Sequence, residues 1–115
     1  MSASDVLDTR RPYVIKLHAR WCVVCMMTKD SWATVQDAYA GKVRFAVFDF
    51  TTDATAEASR VEAARLGLSA VFEDYSGETG SVLILDGASK EVLDAVRGHH
   101  PLEAYRHAID AVLAR

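Results

Sequence analysis

The chain has 115 residues, half of them hydrophobic and a quarter charged, and carries a net charge of −3. That length fits one domain, spanning 1–115, with a core large enough to fold without staples. The slight acidity, with no basic patch and no apolar run of about 18 residues, argues against nucleic acid, anionic membranes and a membrane span. The sequence shows no signal-peptide pattern, no repeat and no low-complexity segment, so a cytoplasmic protein is expected as the chain stands, or a periplasmic one if a signal or anchor has been removed. The only two cysteines, Cys22 and Cys25, exclude a disulfide framework. A bridge between them closes too short a loop to stabilise much by chain entropy, so its value must lie in its chemistry.

In chain order, residues 1–11 are polar and read as a loose arm or short helix. Residues 13–19, Tyr-Val-Ile-Lys-Leu-His-Ala, read as a buried strand. A helix is expected from Cys22 to about Tyr39, with Val23, Met26, Met27, Val35 and Tyr39 as core contacts and Gly41 as its stop. Residues 43–50 form an apolar strand. Thr51, Thr52 and Asp53 cap a helix that runs to Arg65 or Leu66 and ends before Gly67. The stretch 68–80 is too long for a simple connection. Its Leu68, Val71, Phe72 and Tyr75 have helical spacing, so a short amphipathic helix and a loop over 76–80 are expected. This insertion is either a packed surface excursion or a substrate lid. Residues 81–85 read as a third strand, Asp86-Gly87 as a turn and 91–97 as a fourth strand. His99-His100-Pro101 opens a last helix whose core stripe is Leu102, Tyr105, Ile109, Val112 and Leu113. The order β-α-β-α-β-β-α predicts an α/β protein. A right-handed βαβ unit and a hairpin make a four-stranded mixed sheet with helices on both faces.

The junction of the first strand and first helix is Trp21-Cys22-Val23-Val24-Cys25. A strand that delivers a C-x-x-C to the start of a helix is the setting for thiol–disulfide exchange. This stretch and the element order resemble the thioredoxin superfamily over roughly residues 11–114. Within it, the run from Arg11-Pro12 through His18-Ala19 to Trp21-Cys-Val-Val-Cys25, with Phe48-Asp-Phe-Thr-Thr-Asp-Ala54, is most similar to the C-terminal domain of DsbD-type thiol:disulfide interchange proteins. The resemblance implies a thioredoxin-like fold with three departures. Gly80 stands where the family carries a cis-proline facing the cysteines. A trans bond is therefore expected, because a cis peptide before a non-proline residue costs about 2.5–4 kcal/mol. Holding an extended substrate then falls to Thr79 and Gly80. Lys16 stands in place of a buried carboxylate below the cysteines. Asp30 replaces the proline that kinks the first helix, so a straighter helix is expected.

Cys22, at a helix N-terminus, is the expected nucleophile, because backbone N–H groups and the helix dipole favour its thiolate. Cys25, one turn in and more buried, is the expected resolving thiol. The alternative is a pair of inert core cysteines or half of a metal site. Trp21 is expected either to flank the site as an apolar platform or to pack in the core. Val23 and Val24 add no charge and predict a hydrophobic rim. Lys16 tunes Cys25 if it lies beneath it, or else reaches solvent or pairs with Asp49. His18, His99, His100 and His107 are metal-ligand candidates, but only one pair has a recognised spacing, so no metal site is expected. No cofactor motif is present. The expected function is reduction of protein disulfides by a monomer, with a disulfide-containing client and an electron-donor reductase as partners. Two alternatives are an electron-relay domain of a larger exported reductase and a thioredoxin-fold binding or metal-delivery module without general exchange activity.

Overall fold

A computed structural model describes residues 10–98 and 101–115. The arm expected over 1–11 and the His99-His100 pair therefore lie wholly or mostly outside the described residues. Alternating side chains and β-branched stretches give four strands, β1 Tyr13–His18, β2 Arg44–Asp49, β3 Ser81–Leu85 and β4 Val92–Arg97. They form one sheet in the order β2-β1-β3-β4. The β1–β2 pair is parallel, and the β1–β3 and β3–β4 pairs are antiparallel. The helices are α1 Val23–Met27, α2 Lys29–Ala38, α3 Asp53–Arg65, α4 Ser69–Asp74 and α5 Leu102–Leu113.

The central strand β1 is covered on both sides, which explains its nearly continuous apolar run. Tyr13, Ile15 and Leu17 join Phe48, Ala63, Leu68, Val71 and Phe72 in one core layer. Val14 faces the other layer, with Val35, Tyr39, Val82, Ile84, Tyr105 and Ile109. Lys16 shares the parity of Val14, so the one charged residue of β1 is directed to the side covered by α2 and α5. On the opposite side the apolar face of α4 belongs to the core. Phe72 meets Phe48 edge-on at 5.3 Å and stacks on Phe50 at 5.4 Å. Beyond α4, the loop over 76–80 reaches β1, where the Gly80 N–H donates to the Leu17 carbonyl. The start of α3 is fixed by a capping box in which the Thr52 and Thr55 side chains each accept the other's backbone N–H.

Three expectations are corrected. The first helix does not run straight from Cys22 to Tyr39 but breaks at Thr28, whose φ and ψ are −99° and 8°. The Thr28 hydroxyl donates to the Val24 carbonyl at 2.8 Å, a side-chain bond into the preceding turn of the kind that bends helices without proline. Val23, Met26 and Met27 are exposed rather than core contacts, because α1 is held at the edge of the sheet by its cysteines. In α5, Leu113 is exposed and Ala108 takes its place in the core beside Tyr105 and Ile109. Among the described residues, no helix is long and apolar enough to cross a membrane.

Candidate functional site

β1 ends at His18, and Ala19 follows it, fully buried. The chain turns there, with the Cys22 N–H donating to the Ala19 carbonyl at 3.2 Å. Cys22 keeps an extended conformation and caps α1, its Sγ accepting the Cys25 N–H at 3.2 Å. Cys25 lies one turn further in, and its thiol donates to the Leu17 carbonyl at 3.6 Å. That carbonyl also accepts the Gly80 N–H at 2.8 Å, tying β1, α1 and the approach to β3 together beneath the cysteines. Both are free thiols and both are buried, Cys22 8% and Cys25 1% exposed.

Their environments push the two thiols apart. Burial works against the Cys22 thiolate. Hydrogen bonds from the Cys25 side chain and backbone, the Thr79 side chain and the Val24 backbone outweigh it, and the Cys22 pKa lies below its ordinary value. Burial raises the Cys25 pKa. Its hydrogen bond with Cys22 and the Cys22 charge add to that rise, while the Ala19 backbone and Lys16 oppose it. The surroundings thus favour the thiolate form at Cys22 and the thiol form at Cys25.

The rim is apolar and open. Trp21 is 63% exposed and Val23 71%, and the neighbouring Met26 and Met27 are exposed too. The core-packing alternative for Trp21 is thus set aside. Its indole N–H donates to the Thr51 carbonyl at 3.0 Å, and the Arg20 N–H donates to the Thr51 hydroxyl at 3.0 Å. These bonds pin the ring to the segment between β2 and α3. Val24 packs against the Ala19–Cys22–Cys25 cluster, and Gly80 closes the other side. Gly80 has φ +90°, and a Cβ there would stand 3.0 Å from Val24 Cγ1 and 3.5 Å from Cys22 Sγ. No cis peptide bond occurs among the described residues. Gly80→Ala combines an unfavourable backbone conformation with this contact, so it is expected to lower stability by about 1–3 kcal/mol in urea unfolding. A change under a few tenths of a kcal/mol would mean that the segment shifts freely.

Lys16 is 6% exposed, and its ammonium lies 5.8 Å over the Trp32 ring. It neither reaches solvent nor pairs with Asp49, whose carboxylate accepts the N–H and hydroxyl of Thr51. Among the described residues, no acid forms an ion pair with Lys16. Burial pulls the Lys16 pKa down, and the charges of Cys25 and Cys22 oppose that fall, which puts the lysine within electrostatic reach of both sulfurs. Next to it, His18 has a buried Nδ1 with no hydrogen-bond partner. Burial and Lys16 lower the His18 pKa, Asp49 opposes them and Arg20 adds to them. His107 is exposed on α5, and no cluster of three or more metal-ligating side chains occurs among the described residues.

The geometry thus gathers Cys22, Cys25, Trp21, Val23, Val24, Thr79, Gly80 and Lys16 at one end of the sheet. It also contributes Thr51 and Trp32, which the sequence reading missed. Trp32 lies on α2, beyond the break at Thr28, so helical spacing from Cys25 does not place it. The sequence marks Thr51 as part of the capping cluster before α3, not as a site residue. A thioredoxin family model matches residues 3–65. A thioredoxin H-type protein of Chlamydomonas reinhardtii is 32% identical over 94 residues, which cover 81% of this chain and 78% of that protein. Neither match bears on the DsbD-type resemblance.

Proposed function

The chain belongs to the thioredoxin family of thiol–disulfide oxidoreductases, and from that premise we propose that it reduces protein disulfides through Cys22 and Cys25. The observation that carries this reading is the hydrogen bonding of Cys22 Sγ at the start of α1, with Cys25, whose pKa is raised by burial, one turn below. The Cys22 thiolate attacks one sulfur of a client disulfide. A mixed disulfide forms, and the client's other sulfur leaves as a thiolate that takes up a proton. Cys25 then gives up its proton and attacks Cys22 Sγ. The mixed disulfide breaks, the second client sulfur leaves, and the Cys22–Cys25 disulfide remains. Two electrons have passed to the client. A donor reductase must return them, because the sequence carries no flavin or nicotinamide motif.

In this reading Trp21, Val23 and Val24 form the apolar surface on which the client chain lies. Thr79 and Gly80 flank the attacking sulfur from the other side, and Lys16 tunes the resolving thiol. A reducing, cytoplasmic setting and a monomer fit such a protein.

The departure at Gly80 supports a second reading. Where the family carries a cis-proline, this chain has a glycine with φ +90°. A thioredoxin-fold binding module, without general exchange, would tolerate that change. Insulin-disulfide reduction separates the two. With dithiothreitol as donor, the protein is expected to accelerate insulin precipitation well beyond the donor alone. A rate equal to the donor alone would favour the binding module.

A further inference from the structure

Beside Cys25, on the α2 side of the sheet, lies a cavity of about 500 Å³. That volume falls within the range of small-molecule sites. Its wall includes the side chains of Lys16, His18, Arg20 and Lys29, and none of its lining residues is acidic. Trp32 and Met26 supply apolar surface.

Two features suit the cavity to an anionic ligand. Lys16 is more than nine-tenths buried, and no acid among the described residues forms an ion pair with it. Buried charges are ordinarily paired, since desolvating an ion costs several kcal/mol. His18 Nδ1 is buried without a hydrogen-bond partner. Asp49, the acid that acts on His18, has its carboxylate engaged by Thr51.

We propose that this cavity binds a small monocarboxylate with an aromatic or alicyclic body, its carboxylate on the Lys16 ammonium and its ring against Trp32 and Met26. A single buried ammonium matches one negative charge, and Lys29 and Arg20 add a favourable field. The apolar wall of Trp32, Met26 and Val47 suits a ligand with a hydrocarbon ring, which inorganic phosphate lacks. Binding of this kind is independent of the redox reading, because it requires no exchange at either sulfur.

The test is an NMR titration of the isotope-labelled, reduced chain with benzoate, followed at the indole N–H signals of Trp32 and Trp21. Benzamide, its uncharged counterpart, and inorganic phosphate serve as comparisons. Benzoate is expected to move the Trp32 signal saturably and leave Trp21 unchanged, with benzamide and phosphate at least tenfold weaker. Lys16→Met keeps most of the length of the side chain and removes its charge. It is expected to weaken benzoate at least tenfold, about 1.4 kcal/mol, with circular dichroism showing that the fold is kept. If that variant does not fold, the comparison of benzoate with benzamide on the unmodified chain decides. No saturable shift, equal affinity for benzamide, equal affinity for phosphate, an undiminished affinity in Lys16→Met, or a shift confined to Trp21 would each overturn the proposal.

Discussion

Cys25→Ser is expected to accumulate covalent adducts with disulfide-containing clients, whereas Cys22→Ser should form none. The difference follows from geometry. Cys22 Sγ lies at the rim, its thiolate favoured by the Cys25 N–H and Thr79. Cys25 is 1% exposed and bonded inward to the Leu17 carbonyl. In the proposed mechanism a client sulfur meets the first and not the second. Removing Cys25 leaves attack intact and abolishes release, so the mixed disulfide persists. Removing Cys22 takes away attack itself. Turnover in insulin reduction should fall in both variants, by roughly three orders of magnitude or more, the scale on which enzymes lose rate with their nucleophile. Non-reducing gels of tagged variants report the adducts. Equal trapping by both variants would contradict the assigned roles.

Lys16 is expected to hold down the pKa of Cys25. Its ammonium is buried, and its charge acts on Cys25 against the rise that burial causes. Burial, the hydrogen bond with Cys22 and the Cys22 charge raise the Cys25 pKa, and the Lys16 charge opposes that rise. The sign is fixed by the charged form, because a cation stabilises a thiolate. Removing it in Lys16→Met should raise the Cys25 pKa, and reversing it in Lys16→Asp should raise it further. A buried aspartate also costs stability, so that variant must first be shown to fold. The measurement is the pH dependence of thiolate absorbance in a Cys22→Ser background. Curves that coincide within a few tenths of a unit would mean that Lys16 has no hold on the resolving thiol.

The frame of the molecule was legible in the sequence wherever one local signal ruled. β1 is an apolar run bounded by Pro12 and the turn before Cys22, and helices cover it on both faces of the sheet. The Thr52 cap and Gly67 stop bracket α3 because both act within one turn of the chain. The cysteine pair announced its own location. What was not legible depended on contacts between distant residues. Met26 and Met27 have the spacing of a core stripe, but α1 is held by the cysteines at the sheet edge, so the stripe faces solvent. The break at Thr28 depends on a hydroxyl turning back to Val24, where the absence of proline suggested a straight helix. For Lys16, burial beneath Trp32 could not be told from exposure, because the cover comes from a residue 16 positions later.

The most direct test of a redox-active pair is its equilibrium with glutathione. The chain is equilibrated across a series of reduced-to-oxidised glutathione ratios, and the Cys22–Cys25 state is read by mass spectrometry after acid quenching and alkylation. The expected result is a single two-electron transition between the dithiol and one intramolecular disulfide, with a midpoint inside the range of thioredoxin-like sites, from about −270 to about −120 mV. Cysteines that stay reduced at every ratio, or that collect only glutathione adducts without an intramolecular disulfide, would contradict the account.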